Sequence, residues 1–153
     1  MDLELIPATD ADWDRAWPIQ REAFRDLVTR THGGWDEVQT KKCAEAWDAT
    51  HTRLIEVDGA LAGWVRVEHH PDRDWLDLVV VDPRVQGRGL GTRVMWRLMG
   101  EARDRGVALW LSVYRANAAR RLYARLGFAE LPRDEIRVYM VWPGAPADVG
   151  RGT

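Results

Sequence analysis

The chain of 153 residues is 46% hydrophobic and 30% charged, a composition typical of a water-soluble globular protein. No apolar run reaches the roughly 18 residues of a membrane span, and the acidic N-terminus is unlike a signal peptide. The single cysteine excludes an intrachain disulfide and fits a reducing cytoplasm. The length predicts one domain over residues 1–143, with a flexible, Gly/Pro/Ala-rich tail over residues 144–153.

The net charge of −2 is unevenly distributed along the chain. Residues 1–75 contain 16 acidic and 9 basic side chains, whereas residues 76–153 contain 8 and 13. The electrostatic field of a charged surface attracts ligands of opposite charge, so the acidic half favours a cationic partner. An unevenly charged, solvated surface explains the pattern about as well. A sequence pI near 6.1 does not support nucleic-acid binding.

Strand and helix patterns succeed one another along the first half of the chain. A strand over residues 3–7 precedes a helix from about Asp10 to Arg30, in which Pro18 marks a point of kinking or division. Asp36 caps a second helix that extends to about Ala49. Three strands then follow, the first two joined by the hairpin signal Asp58-Gly59, over residues 53–57, 61–69 and 75–81.

A glycine-rich turn, Gln86-Gly87-Arg88-Gly89-Leu90-Gly91, separates the third of these strands from a helix that extends to about Arg105. Glycines allow close backbone approach, and the first amides of a helix have no helical partners. Together with the positive end of the helix dipole, such a turn favours a phosphate or pyrophosphate. Arg84, Arg88 and Arg93 add positive charge nearby. A tight turn without a ligand is the alternative interpretation.

A second block of residues follows this helix. A strand over 107–113 leads into Asn117-Ala118-Ala119-Arg120-Arg121-Leu122-Tyr123, a helix to about Leu126, and two late strands over 128–131 and 136–142. The glycine turn after a strand, this second block and Leu126-Gly127-Phe128 together resemble the GNAT family of N-acetyltransferases over residues 75–128.

The resemblance implies an α/β fold with one mixed, mostly antiparallel sheet of about seven strands and about four helices. It also implies an acetyltransferase that moves an acetyl group from acetyl-CoA to an amine. The expected acceptor is a cationic small molecule or a peptide or protein amine. No nucleic-acid or membrane partner is expected, and a homodimer stays open.

The resemblance further assigns roles to particular residues. Backbone groups of Val79, Val80 and Val81 would pair with the pantetheine arm. The pyrophosphate would be held by Gln86, Gly87, Arg88, Gly89, Leu90, Gly91 and Thr92. Asn117 would lie near the cofactor arm or act as a helix cap. Tyr123 would donate a proton or hydrogen bond to the departing CoA thiolate, because a phenol is protonated at neutral pH; a core aromatic residue is the alternative.

Transfer to an amine also requires that the ammonium lose a proton. Asp77 is the first candidate for this base because it alternates with Val79 and Val81 on one strand. Glu68, His70 and a chain of water molecules stay open as alternatives. No group of cysteine and histidine residues has the spacing of metal ligands.

Two other classes of protein share part of this pattern. A dinucleotide-binding oxidoreductase would carry Gly-x-Gly-x-x-Gly and an acidic residue at the end of the next strand, but here the third glycine comes one position early and that strand ends in Leu111-Ser112-Val113. A CoA-binding sensor without activity is the second alternative, and the presence of Tyr123 argues mildly against it.

Overall fold

Seven strands form one mixed sheet in the computed structural model, which describes residues 2–144. The strands are β1 (Leu3–Pro7), β2 (Thr52–Val57), β3 (Ala60–His69), β4 (Arg73–Val81), β5 (Ala108–Tyr114), β6 (Ala129–Pro132) and β7 (Arg137–Trp142). Their order in the sheet is β1-β2-β3-β4-β5-β7-β6. β4 and β5 pair in parallel, whereas β1–β2, β2–β3, β5–β7 and β6–β7 are antiparallel. The predicted mixed sheet is confirmed.

The described residues form five α-helices: α1 (Trp13–Ala23), α2 (Arg25–His32), α3 (Glu37–Ala46), α4 (Leu90–Arg105) and α5 (Ala119–Arg125). There is one helix more than the four expected, because the helix predicted to extend to Arg30 is divided. The division falls at Phe24, where φ is −105° and ψ is 7°, while Pro18 is accommodated inside α1. Residues 145–153, which include most of the predicted tail, lie outside the described residues.

The described residues pack into two compact units, one formed by residues 2–66 and 78–90 and the other by residues 67–77 and 91–144. In the first unit a buried core contains Ala16 of α1, Leu54 of β2, Trp64 of β3 and Val80 of β4. A small residue at position 16 lets α1 approach the large indole of Trp64 closely. The carboxyl end of β4 is therefore anchored from one side by α1 and β3.

In the second unit the apolar pattern of α4 behaves as predicted. Val94, Leu98 and Ala102, spaced by four, are each at most 2% exposed. β5 alternates in the same way, with Leu109, Leu111 and Val113 buried and the residues between them half-buried. Among residues 2–144, none of the helices combines the length and apolar character that crossing a bilayer requires.

Candidate active site

The glycine turn between β4 and α4 is exposed and open to a ligand. Gly87 and Gly89 adopt φ values of 83° and 74°, in the left-handed region that favours glycine. A Cβ atom built on either residue would meet no heavy atom within 4 Å. A ligand can therefore approach the backbone here without displacing side chains.

The backbone amides of this turn are available as hydrogen-bond donors. Among residues 2–144, the N–H groups of Gly87, Arg88 and Gly89 have no hydrogen-bond partner. The first amides of α4, from Leu90 onward, have no acceptor within the helix, and the helix dipole adds positive potential. The side-chain amide of Gln86 donates to the carbonyl oxygen of Val81 at 2.9 Å and so ties the turn to β4. The arrangement can hold an oxyanion such as a phosphate.

The positive charge at this turn is smaller than the sequence indicated. The guanidinium of Arg84 donates to the carboxylate of Asp82 at 2.6 and 3.0 Å. Asp82 is 4% exposed, and these hydrogen bonds hold the pKa of its carboxyl below the usual range. Arg84 is therefore largely neutralised, whereas Arg88 is exposed and has no partner among the described residues.

A close approach of β3 to β4 positions the predicted pantetheine strand. A Cβ atom on Gly63 would lie 2.0 Å from the carbonyl oxygen of Val80, so no other residue fits there without a shift of the backbone. The pairing of β2 with β3 skips Ala62, whose carbonyl oxygen instead accepts from the backbone N–H of Asp82 at 2.8 Å. Sequence reasoning missed Gly63, although a glycine inside an apolar strand is a signal of close backbone approach.

Tyr123 is buried on α5, with 4% of its surface exposed and its ring 5.8 Å from that of Phe128. Burial raises the pKa of its phenol to about 12. The start of α5 is fixed by Asn117, whose side-chain oxygen accepts from the N–H of Ala119 at 2.8 Å. The capping interpretation of Asn117 therefore has a geometric basis, while its side-chain nitrogen has no partner among residues 2–144.

The candidates for the general base lie at different places. Asp77 is exposed on β4, whereas Glu68 and His70, 3.5 Å apart, lie at the hairpin between β3 and β4. The backbone carbonyl of His70 accepts from Arg105 at the last turn of α4. Since the helix rises about 1.5 Å per residue, that turn lies about 21 Å from Gly91 at the helix start. The hairpin is thus bonded to the end of α4 that lies far from Gly91.

The same hairpin contains a buried ion cluster that the sequence did not reveal. Asp74 is 1% exposed, and its carboxylate contacts His69 Nδ1 at 2.7 Å and Arg105 Nε at 2.9 Å. An ionised group of this kind is stable in the interior only when it is paired and hydrogen-bonded. The cluster connects the hairpin to the carboxyl end of α4.

The tryptophan-rich N-terminal half forms a continuous chain of ring contacts in the first unit. Ring centroids are separated by 5.1 to 5.6 Å along the series Trp35, Trp17, Trp13, Trp47 and Trp64. Trp64 belongs to the core, so the series fixes α1 on β3. The function of these rings was not predicted from the sequence.

The structure brings some of the predicted site residues together. Val79, Val80, Val81 and the turn through Leu90 belong to the first unit, in which Gln86 contacts Val81. Gly91, Thr92, Asp77, Asn117 and Tyr123 belong to the second unit, in which Gly91 of α4 faces the side chain of Leu122, the neighbour of Tyr123.

Comparison with known proteins identifies the class of protein that carries this site. The sequence model of the acetyltransferase (GNAT) family matches residues 13–128. The chain therefore belongs to the GNAT family and is an N-acetyltransferase that uses acetyl-CoA.

Two proteins with similar sequences are named for different acetylation reactions. The chain is 29% identical over 131 residues to a ribosomal protein bS18-alanine N-acetyltransferase of Haemophilus influenzae, and the match covers 84% of each protein. It is 36% identical over 127 residues to the mycothiol acetyltransferase of Thermomonospora curvata, a match that covers 79% of this chain and 42% of that protein.

Solved structures share the fold. A PaiA N-acetyltransferase of Thermoplasma acidophilum in complex with coenzyme A superposes with a TM-score of 0.76 at 15% identity, over 94% of this chain and 99% of that one. The ribosomal-protein-S18-alanine N-acetyltransferase of Escherichia coli superposes with a TM-score of 0.69 at 24% identity, over 99% of both chains.

Proposed function

We propose that this protein acetylates a primary amine of a small molecule or a peptide, with Tyr123 acting on the leaving sulfur and Asp77 removing the proton of the amine. The observation that carries the proposal is the open glycine turn, whose amides are unpaired among the described residues, in a chain of the GNAT family. The names of the relatives, one acting on a ribosomal protein and one named for mycothiol, support both kinds of acceptor. A single domain over 1–143, a cytoplasmic location and a homodimer stay predictions.

The residues of the turn fit the pyrophosphate of CoA. The amides of Gly87, Arg88 and Gly89 would donate to phosphate oxygens, and Arg88 would supply a cation. Backbone groups of Val79 to Val81 would pair with the pantetheine arm, and the free amide nitrogen of Asn117 would donate to the same arm. Bound acetyl-CoA supplies the acetyl group as an activated thioester.

The raised pKa of Tyr123 decides how it would act. A phenol with a pKa of about 12 stays protonated at neutral pH and can always donate a hydrogen bond. Transfer of its proton to a thiolate as basic as that of cysteine, whose thiol has a pKa of about 8.5, is uphill by more than three pKa units, which is on the order of 5 kcal/mol. Tyr123 therefore stabilises the developing negative charge on sulfur mainly by hydrogen bonding, as a donor placed where charge appears in the transition state.

Asp77 is the proposed base because it is exposed on β4, two residues before Val79, whose backbone would pair with the pantetheine arm. Glu68 and His70 lie at the hairpin that contacts the last turn of α4 and are the alternatives. Asp77→Asn should flatten the acid limb of the pH–rate profile and lower turnover, with acetyl-CoA affinity almost unchanged. Asp72→Asn, a neutralised carboxylate in the hairpin, is the matched control. An unaltered profile in Asp77→Asn would move the base to His70, Glu68 or a water chain.

Release of CoA thiol from acetyl-CoA, measured with a library of amines, tests the proposed function. At least one amine should give turnover, and Tyr123→Phe should lower kcat by about 100-fold while the dissociation constant of acetyl-CoA changes little. Equal turnover in the two proteins would return Tyr123 to a purely structural role. Tight acetyl-CoA binding without release of thiol for any amine would favour the sensor.

A further inference from the structure

We propose that Arg133 and Arg137, held on aromatic rings at the carboxyl end of β5, form a subsite for an oxyanion of the acceptor, so that the acetylated amine belongs to a molecule that also carries a carboxylate or phosphate. The inference rests on the proposed function, because it concerns the acceptor of that reaction. The subsite consists of Arg133, Arg137, Ser112, Tyr114 and Tyr139, all within the second unit.

Arg137 is a positioned cation that forms no ion pair among the described residues; the Asp134 carboxylate, which accepts from its backbone N–H, interacts with its charge only at longer range. Its guanidinium lies 4.5 Å from the ring centroid of Tyr114, and its Nη2 donates to the Tyr114 hydroxyl at 2.9 Å. Within residues 2–144, no carboxylate lies at ion-pair distance from Arg137. Elsewhere in this unit a comparable arginine, Arg120, is paired with Glu130 through hydrogen bonds of 2.8 and 3.0 Å. A half-buried guanidinium without such a partner can accept an anion from outside.

Arg133 is held beside it in a similar way. Its guanidinium lies 5.5 Å from the ring centroid of Tyr139, and its Nη1 donates to the hydroxyl of Ser112. Its Nε forms an ion pair with the carboxylate of Asp134 at 3.8 Å, a separation too long for a hydrogen bond. Four of its five N–H groups therefore donate no hydrogen bond to a described residue.

The strand register places the two cations on one face of the sheet. In the antiparallel pairing of β5 with β7, Ser112 lies opposite Tyr139 and Tyr114 lies opposite Arg137. The two arginine–ring pairs are thus two residues apart along β5, about 7 Å. This spacing suits two guanidinium groups that share one carboxylate or phosphate.

The turn between β6 and β7 makes the arrangement rigid. One carboxylate oxygen of Asp134 accepts from the backbone N–H groups of Ile136 and Arg137 at 2.8 and 2.7 Å, and these bonds lower the pKa of the Asp134 carboxyl. Arg115, directly after β5, donates to the carbonyl oxygen of Asp134 at 3.0 Å. Asp134 is therefore committed to the turn, and the cations need little reorganisation to bind an anion.

The position of this subsite connects it to the chemistry. The N–H of Asn117 donates to the carbonyl oxygen of Tyr114 at 2.9 Å, so the subsite directly precedes the helix that carries Tyr123. An acceptor with an ammonium and an oxyanion also agrees with a chain whose first half is acidic and whose second half is basic.

Two measurements test the subsite. The first compares acceptors in matched pairs, namely a dipeptide acid with its C-terminal amide and O-phosphoethanolamine with ethanolamine. In the pair that the enzyme acetylates, kcat/KM should be higher for the anionic member by roughly tenfold or more. Arg137→Gln or Arg133→Gln should abolish this preference by raising KM for the anionic member only. Arg103→Gln, which removes an exposed charge from the last turn of α4, is the matched control and should keep the preference.

The second measurement does not depend on turnover. Inorganic phosphate is titrated into the CoA-saturated protein while the side-chain Nε–Hε resonances of Arg133 and Arg137 are followed by NMR. Millimolar phosphate should shift both resonances in wild type and in Arg103→Gln, and Arg137→Gln should weaken the binding about tenfold. Unmoved resonances, or an affinity in Arg137→Gln equal to that of the control, would overturn the subsite. Intact phosphate binding in a protein that acetylates no amine would instead refute the proposed function.

Discussion

Burial of Tyr123 has a measurable consequence at alkaline pH. The pKa of its phenol is about 12 in the folded protein and about 10 in an unfolded chain. Between these pH values the unfolded chain has lost a proton that the folded protein keeps, so the free energy of unfolding falls as the pH rises. Two pKa units at about 1.36 kcal/mol each give a loss of about 3 kcal/mol, none of which occurs below about pH 10.

Tyr123→Phe should remove this loss. No described residue hydrogen-bonds the Tyr123 hydroxyl, so the substitution should cost little stability at neutral pH. Urea unfolding of wild type and variant at steps from about pH 9 to 12 isolates the contribution, because the other tyrosines and lysines titrate in both proteins. Tyr139→Phe, which keeps Tyr123, should retain the wild-type decline. Parallel curves for wild type and Tyr123→Phe would refute the burial of the phenol.

Two further substitutions test the packing around the site. Gly63→Ala should lower the free energy of unfolding by about 3 kcal/mol or more and weaken acetyl-CoA binding, because its Cβ would collide with the Val80 carbonyl oxygen 2.0 Å away. Gly59→Ala, at φ 82° in open space, should lower the free energy of unfolding by only about 1–2 kcal/mol. Equal urea midpoints for the two variants would contradict this expectation. Asp74→Asn should cost about 2–3 kcal/mol, because it replaces a buried carboxylate, bonded to both His69 and Arg105, with a neutral amide. The exposed Asp72→Asn should leave the midpoint almost unchanged, and a matching drop in that control would show that charge rather than burial is responsible.

The elements with strong local signals could be predicted from the sequence. The helix predicted over 90–105 is found with the same bounds, and the hairpin at Asp58-Gly59 is present, with Asp58 at φ 51° and Gly59 at φ 82°. Apolar spacing and turn chemistry are local properties of the chain, so they are visible without tertiary structure. The break at Phe24 was missed because Pro18 carries the stronger local signal, while α1 in fact accommodates that proline.

The rest of the site depends on contacts between residues that are distant in the sequence. Nothing near Asp74 indicates that Arg105 reaches it, 31 residues later. The neutralisation of Arg84 by Asp82 also depends on side-chain rotamers that no pattern specifies. The sequence patterns assign no role to Arg133 or Arg137, whose contacts with aromatic rings become visible only in the tertiary structure. Sequence periodicity gives faces and ends of elements, but it does not give partners across a sheet.

The most direct test of acetyl-CoA recognition at the glycine turn is calorimetric titration of acetyl-CoA into Gly89→Glu beside Gly106→Glu. Both glycines have a positive φ, 74° and 72°, and a Cβ on either meets open space, so the two variants carry the same charge and similar backbone strain. Gly106 ends α4, whereas Gly89 lies in the turn at its start. Gly106→Glu should bind acetyl-CoA as wild type does, and Gly89→Glu should lose at least about a hundredfold in affinity, because a carboxylate would face the phosphates. A folded Gly89→Glu protein with wild-type affinity would show that the phosphates bind elsewhere.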